Sequence, residues 1–303
     1  GTGKSIQPIR PVGITANLFP LEVVNQGLEK LGYTVKQPLE ADQVPLHLAI
    51  AQGDADFTAT EWIPLYDRFF QQVGGDTVME RLGVVVADAS QGYFIDKKTA
   101  DKYKINNLSQ FKDPNIAKLF DADGDGKANL TGCNAGWGCE RVIEYQLDKF
   151  GLRDVIQHDQ GSYFALIADT ITRYKSGQPI FYYTWSPQWV GAVLKPGTDV
   201  VQLNVPYSAD PDGADTKSPD GSNSGFQTNQ ITFLVNKKFI GENPAVRKLF
   251  EQIHIPLEDW NTAILEQHDG QDSDEAIRKQ AEEWVEKHQS DFDSWVAKAL
   301  QAK

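Results

Sequence analysis

Both cysteines of the chain sit in one short stretch, Thr131-Gly-Cys-Asn-Ala-Gly-Trp-Gly-Cys-Glu140, which also carries three glycines and Trp137. Arg141-Val-Ile-Glu-Tyr-Gln-Leu-Asp-Lys-Phe150 follows directly and reads as a helix, with Val142, Tyr145, Leu147 and Phe150 available to a core. A glycine-rich turn entering a helix leaves backbone N–H groups unpaired and adds the positive end of the helix dipole, which together make a seat for an anion. A tryptophan face beside that seat attracts cations through its ring quadrupole. A zwitterion with a bulky apolar cation satisfies both halves.

The seven tryptophans differ by position. Trp260, Trp284 and Trp295 fall at core-like spacing in the last part of the chain. Trp62, Trp137 and Trp185 fall at strand ends or glycine turns, where a large apolar ring serves either a ligand or packing between domains. Residues 56–60 read as a short buried strand running into Trp62, and 179–184 as a strand ending at Trp185. In open α/β sheets ligands bind beyond the carboxyl ends of strands. Trp189 is expected to pack from the following helix.

Residues 6–14 supply a first strand, and Leu21, Val24, Leu28 and Leu31 recur at helical spacing up to Gly32. A second βα pattern covers 33–35 and then a helix over Leu46, Ala49 and Ile50, ending at Gly53. Residues 83–87 and 92–95 read as two strands. A capped short helix starts at Asn107, and a longer one from Ser162 carries Phe164, Ile167, Ile171 and Tyr174. The Asp-, Pro-, Gly- and Ser-rich stretch 206–225 is a long surface loop. Residues 231–235 form the last strand, and helices fill the remainder. One starts after Asp272 with Glu275 three residues on, a capping-box-like pattern, and the final one carries Phe292, Trp295, Val296 and Leu300. The alternation predicts an α/β protein with its middle inserted into the first domain. Residues 1–91 and 230–303 then form lobe I and 92–229 form lobe II, with hinge crossings near 91–95 and 226–231.

At 303 residues the chain accommodates two α/β domains, and its net charge of -13 argues against nucleic acid as a partner. No apolar run approaches the roughly 18 residues of a membrane span. The cysteine spacing suits one local disulfide, Cys133 to Cys139, and hence an oxidising compartment. Free thiols, or zinc with His158 as the nearest histidine, are the alternatives, and the paired clusters of zinc sites are missing. The opening Gly-Thr-Gly-Lys-Ser carries no signal peptide, so the chain reads as mature or trimmed, and it fails the glycine spacing of a phosphate-binding loop.

Asp121-Ala-Asp-Gly-Asp-Gly-Lys-Ala-Asn129 follows the first nine positions of a calcium loop. Asp121, Asp123 and Asp125 stand at the first three ligand positions, Lys127 and Asn129 at the next two, and Gly132 where the bidentate glutamate belongs. A structural calcium and a metal-free Asp/Gly turn are both open on this pattern. No hydrolase or metalloprotease motif is present, Glu61 has no evident partner carboxylate, and His47, His158, His254, His268 and His288 are scattered. The rival class is a carbohydrate-active enzyme or lectin stacking sugars on the same aromatics. An amino-acid carrier would need acceptors for a primary ammonium.

Three blocks carry a resemblance: Thr60-Glu-Trp-Ile-Pro-Leu-Tyr-Asp67, Asp125-Gly-Lys-Ala-Asn-Leu-Thr-Gly-Cys-Asn-Ala-Gly-Trp-Gly-Cys139 and Phe181-Tyr-Tyr-Thr-Trp-Ser-Pro187. They resemble the glycine betaine/proline betaine-binding proteins, periplasmic components of osmoprotectant ABC importers, as do residues 28–35 and 91–105. The likeness runs from about residue 22 to the C-terminus. It implies a type II periplasmic-binding-protein fold, two lobes with a ligand cleft between them. It also implies a box of Trp62, Trp137 and Trp185 around the quaternary ammonium, with the N–H groups of Gly138 and Cys139 on the carboxylate. Where the family has a further carboxylate-binding histidine this chain has Tyr66, whose phenol donates a hydrogen bond but carries no positive charge near neutral pH.

The implied function is uptake, not catalysis. A monomer without a required cofactor binds glycine betaine, proline betaine or a related zwitterion under osmotic stress and delivers it to membrane permease subunits. It does so in the bacterial periplasm, or secreted or anchored on the outer face of the membrane. A trimethylammonium donates no N–H hydrogen bond, so shape, dispersion and cation–π attraction must recognise it, at about 1–2 kcal/mol per desolvated face.

Overall fold

A computed structural model describes residues 3–302. The chain divides into two compact units: the part up to Ala89 together with the part from Asn229 onward, and Ser90–Thr228. Among the described residues no helix is long and apolar enough to cross a membrane.

In the first unit the strand expected over 6–14 is two short ones, β1 (Ser5–Ile6) and β2 (Ile9–Pro11). Pro8 has no N–H for a ladder, and the Gln7 N–H goes to the Asp56 carboxylate at 2.7 Å, so pairing breaks there. Helix α1 (Leu18–Lys30) buries Leu21, Val24 and Leu28 and is closed by Gly32 at φ 84°, its N–H returning to the Glu29 carbonyl. Next come β3 (Thr34–Val35), β4 (Leu39–Ala41), α2 (Gln43–Gln52), β5 (Phe57–Ile63) and α3 (Asp67–Gln72). β1 pairs with β3 and β2 with β4, both in parallel.

β6 (Met79–Asp96) is one strand of 18 residues where two were expected. Register shifts against its partner strand and a positive φ of 60° at Asp88 bend it without a turn. Its first part belongs to the first unit and its last part to the second.

The second unit continues with α4 (Lys97–Tyr103), α5 (Pro114–Ala117), β7 (Ala128–Thr131), α6 (Gly138–Lys149), β8 (Ile156–Asp159), α7 (Tyr163–Lys175), β9 (Phe181–Ser186), α8 (Val190–Val193) and β10 (Val200–Gln202). Before α5, a 3-10 turn at Leu108–Lys112 is capped by Asn107 in a full capping box. Here β6 lies between β10 and β9, and β9, β7 and β8 run parallel to one another. The C-terminal ends of these three strands therefore share one edge. The loop 206–225 closes on itself through the buried pair Thr216 and Asn223, bonded at 2.7 Å.

The chain returns to the first unit with β11 (Asn229–Asn236), which lies between β5 and β6 and antiparallel to both. Helices α9 (Lys237–Glu242), α10 (Pro244–Phe250), α11 (Leu257–His268), α12 (Asp274–Lys287) and α13 (Gln289–Leu300) follow. The cap of α12 is Ser273, which accepts the Ala276 N–H, rather than Asp272. Trp260 and Trp284 are buried as expected, and Trp295 is half-buried against Phe292. Leu300 is 61% exposed, because the inward face of α13 ends at Ala299.

Gly83 stands at φ 59°, and a Cβ there would lie 2.2 Å from the Phe250 carbonyl oxygen, a backbone atom that cannot swing away. Gly83→Ala is expected to destabilise the protein by more than about 1 kcal/mol. Thermal unfolding checks this, and an unchanged midpoint would contradict it.

Candidate functional site

Three aromatic residues meet at the shared strand edge of the second unit. Trp185 is the penultimate residue of β9, Tyr163 opens α7 just after β8, and Trp137 precedes α6 after β7. The Trp137 and Trp185 rings stand edge to face at 5.4 Å and 86°, and Tyr163 lies 4.8 Å from Trp185. The Tyr163 hydroxyl bonds the Tyr183 carbonyl at 3.0 Å and Thr184 Oγ1 at 2.9 Å, which locks the ring. Both tryptophans stay half-buried while Tyr163 is fully buried. Two perpendicular indoles on a fixed tyrosine make an apolar corner rich in π faces.

The cysteine turn forms the other half. Cys133 and Cys139 are joined in a disulfide with Cα atoms 6.1 Å apart, which settles the thiol and zinc alternatives. Helix α6 begins at Gly138, three residues before the expected Arg141, with Trp137 as an extended N-cap at ψ 156°. Gly138 and Cys139 are thus its first two residues, whose N–H groups have no carbonyl one turn back. Asn134 Oδ1 accepts the Tyr163 N–H at 2.8 Å, tying the turn to α7, and Glu140 Oε2 accepts the Gly136 N–H at 2.6 Å. His158 is no metal ligand here; its Nε2 accepts the Cys133 N–H at 3.1 Å.

In the first unit Trp62 lies on β5, 8% exposed, opposite Ile231 of β11. The Tyr66 N–H returns to the Trp62 carbonyl at 2.9 Å, so one five-residue turn carries both side chains. Ile63–Pro64 after Trp62 and Ser186–Pro187 after Trp185 are both cis. The Tyr66 phenol accepts from Gln43 Nε2 at 3.2 Å. Burial first, and the Glu61 carboxylate second, push its pKa well up, so the hydroxyl keeps its proton.

Beneath Tyr66 lies a buried polar network. His47, fully buried, reaches the Gln43 carbonyl at 2.7 Å and Glu61 Oε2 at 2.9 Å. Glu61 Oε1 accepts Arg81 Nε at 3.0 Å and Nη2 at 2.5 Å, and Arg81 Nη1 reaches Asp67 at 2.5 Å. Arg81 also lies over the Phe70 ring at 4.1 Å. Glu61 is therefore a structural ion-pair partner.

The aspartate loop is held by its own backbone. Asp121, Asp123 and Asp125 bring carboxylate oxygens within 4.8 Å of one another. Those oxygens already accept N–H groups, Gly126 and Gly124 on Asp121, Asp125 on Asp123 and Lys127 on Asp125. These bonds, Gly126's above all, lower the Asp121 pKa. The Asn129 amide is spent on Ala122, Asp123 and Asp159, and Lys127 adds no further carboxylate. Three acids, two of them exposed and Asp121 half-buried, fall short of the six to eight oxygens calcium takes, so the calcium alternative is not supported.

Sequence reasoning missed Tyr163, Gln43 and the pairing of Glu61 with His47 and Arg81. Tyr163 had a signal, an aromatic directly after Gly161-Ser162 at the end of a strand. The others are joined only by folding.

A family model described as the substrate binding domain of ABC-type glycine betaine transport system matches residues 12–287. The chain is 49% identical, over all of its length and 92% of the relative's, to the glycine betaine/proline betaine-binding periplasmic protein of Escherichia coli K12. It is 48% identical over the same shares to the glycine betaine-binding periplasmic protein OusX of Dickeya dadantii. Lactococcal OpuAC, solved closed with glycine betaine, aligns with a TM-score of 0.72 at 20% identity over 97% of this chain and 99% of that one. ProX of Borrelia burgdorferi aligns with a TM-score of 0.75 at 18% identity over 98% and 99%. The fold is thus the type II periplasmic-binding-protein fold that the resemblance implied.

Replacing Arg81 with methionine removes the guanidinium from over Phe70 and leaves the Glu61 carboxylate buried without its cation. The expected loss is about 3–5 kcal/mol, seen as a lowered unfolding midpoint and partly recovered by adding Glu61→Gln. An unchanged midpoint would contradict the pairing.

Proposed function

This chain belongs to the family of substrate-binding domains of ABC-type glycine betaine transport systems, and from that membership we propose that it captures glycine betaine, proline betaine or a closely related zwitterion for import. The family binds and releases its cargo and is not one of enzymes. Trp137 and Trp185 from the second unit and Trp62 from the first enclose the quaternary ammonium. The Gly138 and Cys139 N–H groups and the Tyr66 hydroxyl take the carboxylate. The two units act as lobes that close on the ligand, expelling water and so strengthening both charge terms. The loaded monomer then meets permease subunits in the membrane from the periplasm or outer face.

The observation that carries this reading is the perpendicular Trp137–Trp185 pair beside the first turn of α6, since Trp137 is itself the N-cap of that helix. One residue thereby ties the cation site to the anion site. The phenol at Tyr66 supplies a neutral donor where the family resemblance implies a histidine.

Calorimetric titration in calcium-free buffer tests the proposal. Glycine betaine should bind in the micromolar range, about -8 kcal/mol, with no heat from a disaccharide. Choline, which keeps the cation but lacks the carboxylate, should bind more weakly. Silence from every quaternary ammonium would refute the reading.

Alanine at Trp62, Trp137 or Trp185 should weaken betaine binding roughly tenfold or more, the loss of about 1.4 kcal/mol. Wild-type affinity in all three variants would remove the box.

A further inference from the structure

His158 lies under the cysteine turn with its side chain 2% exposed. It stands on β8 opposite Leu130 of β7, and the Cδ2–Nε2 edge of its ring faces Gly132. A Cβ at position 132 would fall 2.0 Å from both Cδ2 and Nε2 of the imidazole, so glycine is what lets the ring reach the turn.

The two ring nitrogens have opposite duties. Nε2 faces the Cys133 N–H at 3.1 Å, and a backbone amide can only donate, so Nε2 must be bare. The single ring proton then sits on Nδ1 and is donated to Glu144 Oε1 at 2.6 Å. Glu144 Oε2 is paired with Arg153, which also holds Asp148 and the Glu144 carbonyl. The neutral ring thus links the acidic side of α6 to the amide of Cys133. Through the disulfide it is also linked to Cys139, the second residue of the same helix.

A proton added at Nε2 would set two N–H donors head to head. The Cys133 bond would be lost, while the Glu144 carboxylate would draw the cationic ring toward itself. Burial alone pushes the Glu144 pKa up, but bonds from His158 and Arg153 outweigh it and hold the carboxylate ionised. The charged groups facing the ring, directly or through one bond, are Glu144 and Arg153; Asp159 follows it on β8, Leu130 of β7 lies opposite it, and the turn after β7 presents the Gly132 and Cys133 backbone.

We propose that His158 is a proton-sensitive positioning residue: neutral, it anchors Cys133 and steadies the first turn of α6, and protonated, it releases that turn and lowers affinity for the ligand's carboxylate. This rests on the reading of Gly138 and Cys139 as the carboxylate seat. The sign follows from the geometry, with affinity full when the ring is neutral and lost once acid adds the second ring proton.

Two measurements test it, one of them without ligand. In the ligand-free protein the amide signal of Cys133 should shift, and its protection against exchange with water relative to the intrinsic rate at each pH should fall, as pH is lowered from about 7.5 to about 5.5, in step with the His158 ring signals. A Cys133 amide indifferent to the ring's titration overturns the device itself, whatever the ligand. Betaine affinity of the wild type should fall about tenfold over the same range. H158Q, whose amide oxygen accepts from Cys133 without titrating, should keep the neutral-pH affinity and give a flat profile. A flat wild-type profile, or the same fall in H158Q, overturns the role in binding. Absence of betaine binding at neutral pH would instead refute the proposed function while the amide titration still decides the device.

Discussion

The site depends on a helix start kept bare. The first N–H groups of any α-helix lack carbonyl partners, and a protein normally covers them with a side-chain cap or leaves them to water. At α6 the N-cap is Trp137, which has no side-chain oxygen, so Gly138 and Cys139 are left without such a cap. Holding that turn falls to its neighbours. The disulfide pins both ends, Asn134 fastens it to α7, Glu140 reaches back to Gly136, and His158 supports Cys133 from beneath. These bonds all fix the backbone and leave the two N–H groups open to the carboxylate proposed to bind there.

The proposed cation side follows the same logic with other materials. A quaternary ammonium cannot be held by hydrogen bonds, so it must be recognised by rigid π faces that are dry when it binds. Parallel β7, β8 and β9 bring Trp137, Tyr163 and Trp185 to one edge, and the Tyr163 hydroxyl, spent on Tyr183 and Thr184, keeps polarity away from the corner. In the first unit a tyrosine, Tyr66, stands four residues after Trp62, and the charges lie one layer deeper, where Glu61 and Arg81 compensate each other. Tyr66 is therefore a neutral donor above a balanced network.

What could be read from the sequence was local. A glycine-rich turn before a helix, tryptophans at strand ends and the spacing of two cysteines are visible within ten or so residues. They led to the residues now proposed as the site. The limits were also physical. Helix α6 starts three residues early because its tryptophan tolerates an extended N-cap, which no propensity signals. The single long β6 was read as two strands, since a bulge looks like a turn when its partner strand is unknown. Glu61 had no evident partner because His47 is 14 residues before it and Arg81 is 20 after. His158 attracted notice as a metal ligand, yet it lies 25 residues from the amide it supports.

The most direct test of the central claim observes the two bare amides. In isotope-labelled protein titrated with glycine betaine, the Gly138 and Cys139 amide protons should move downfield on saturation, as they do when they donate to a carboxylate, and should respond far less to choline. Betaine binding that leaves both amides unmoved would mean the carboxylate sits elsewhere, and the role assigned to the first turn of α6 would be wrong.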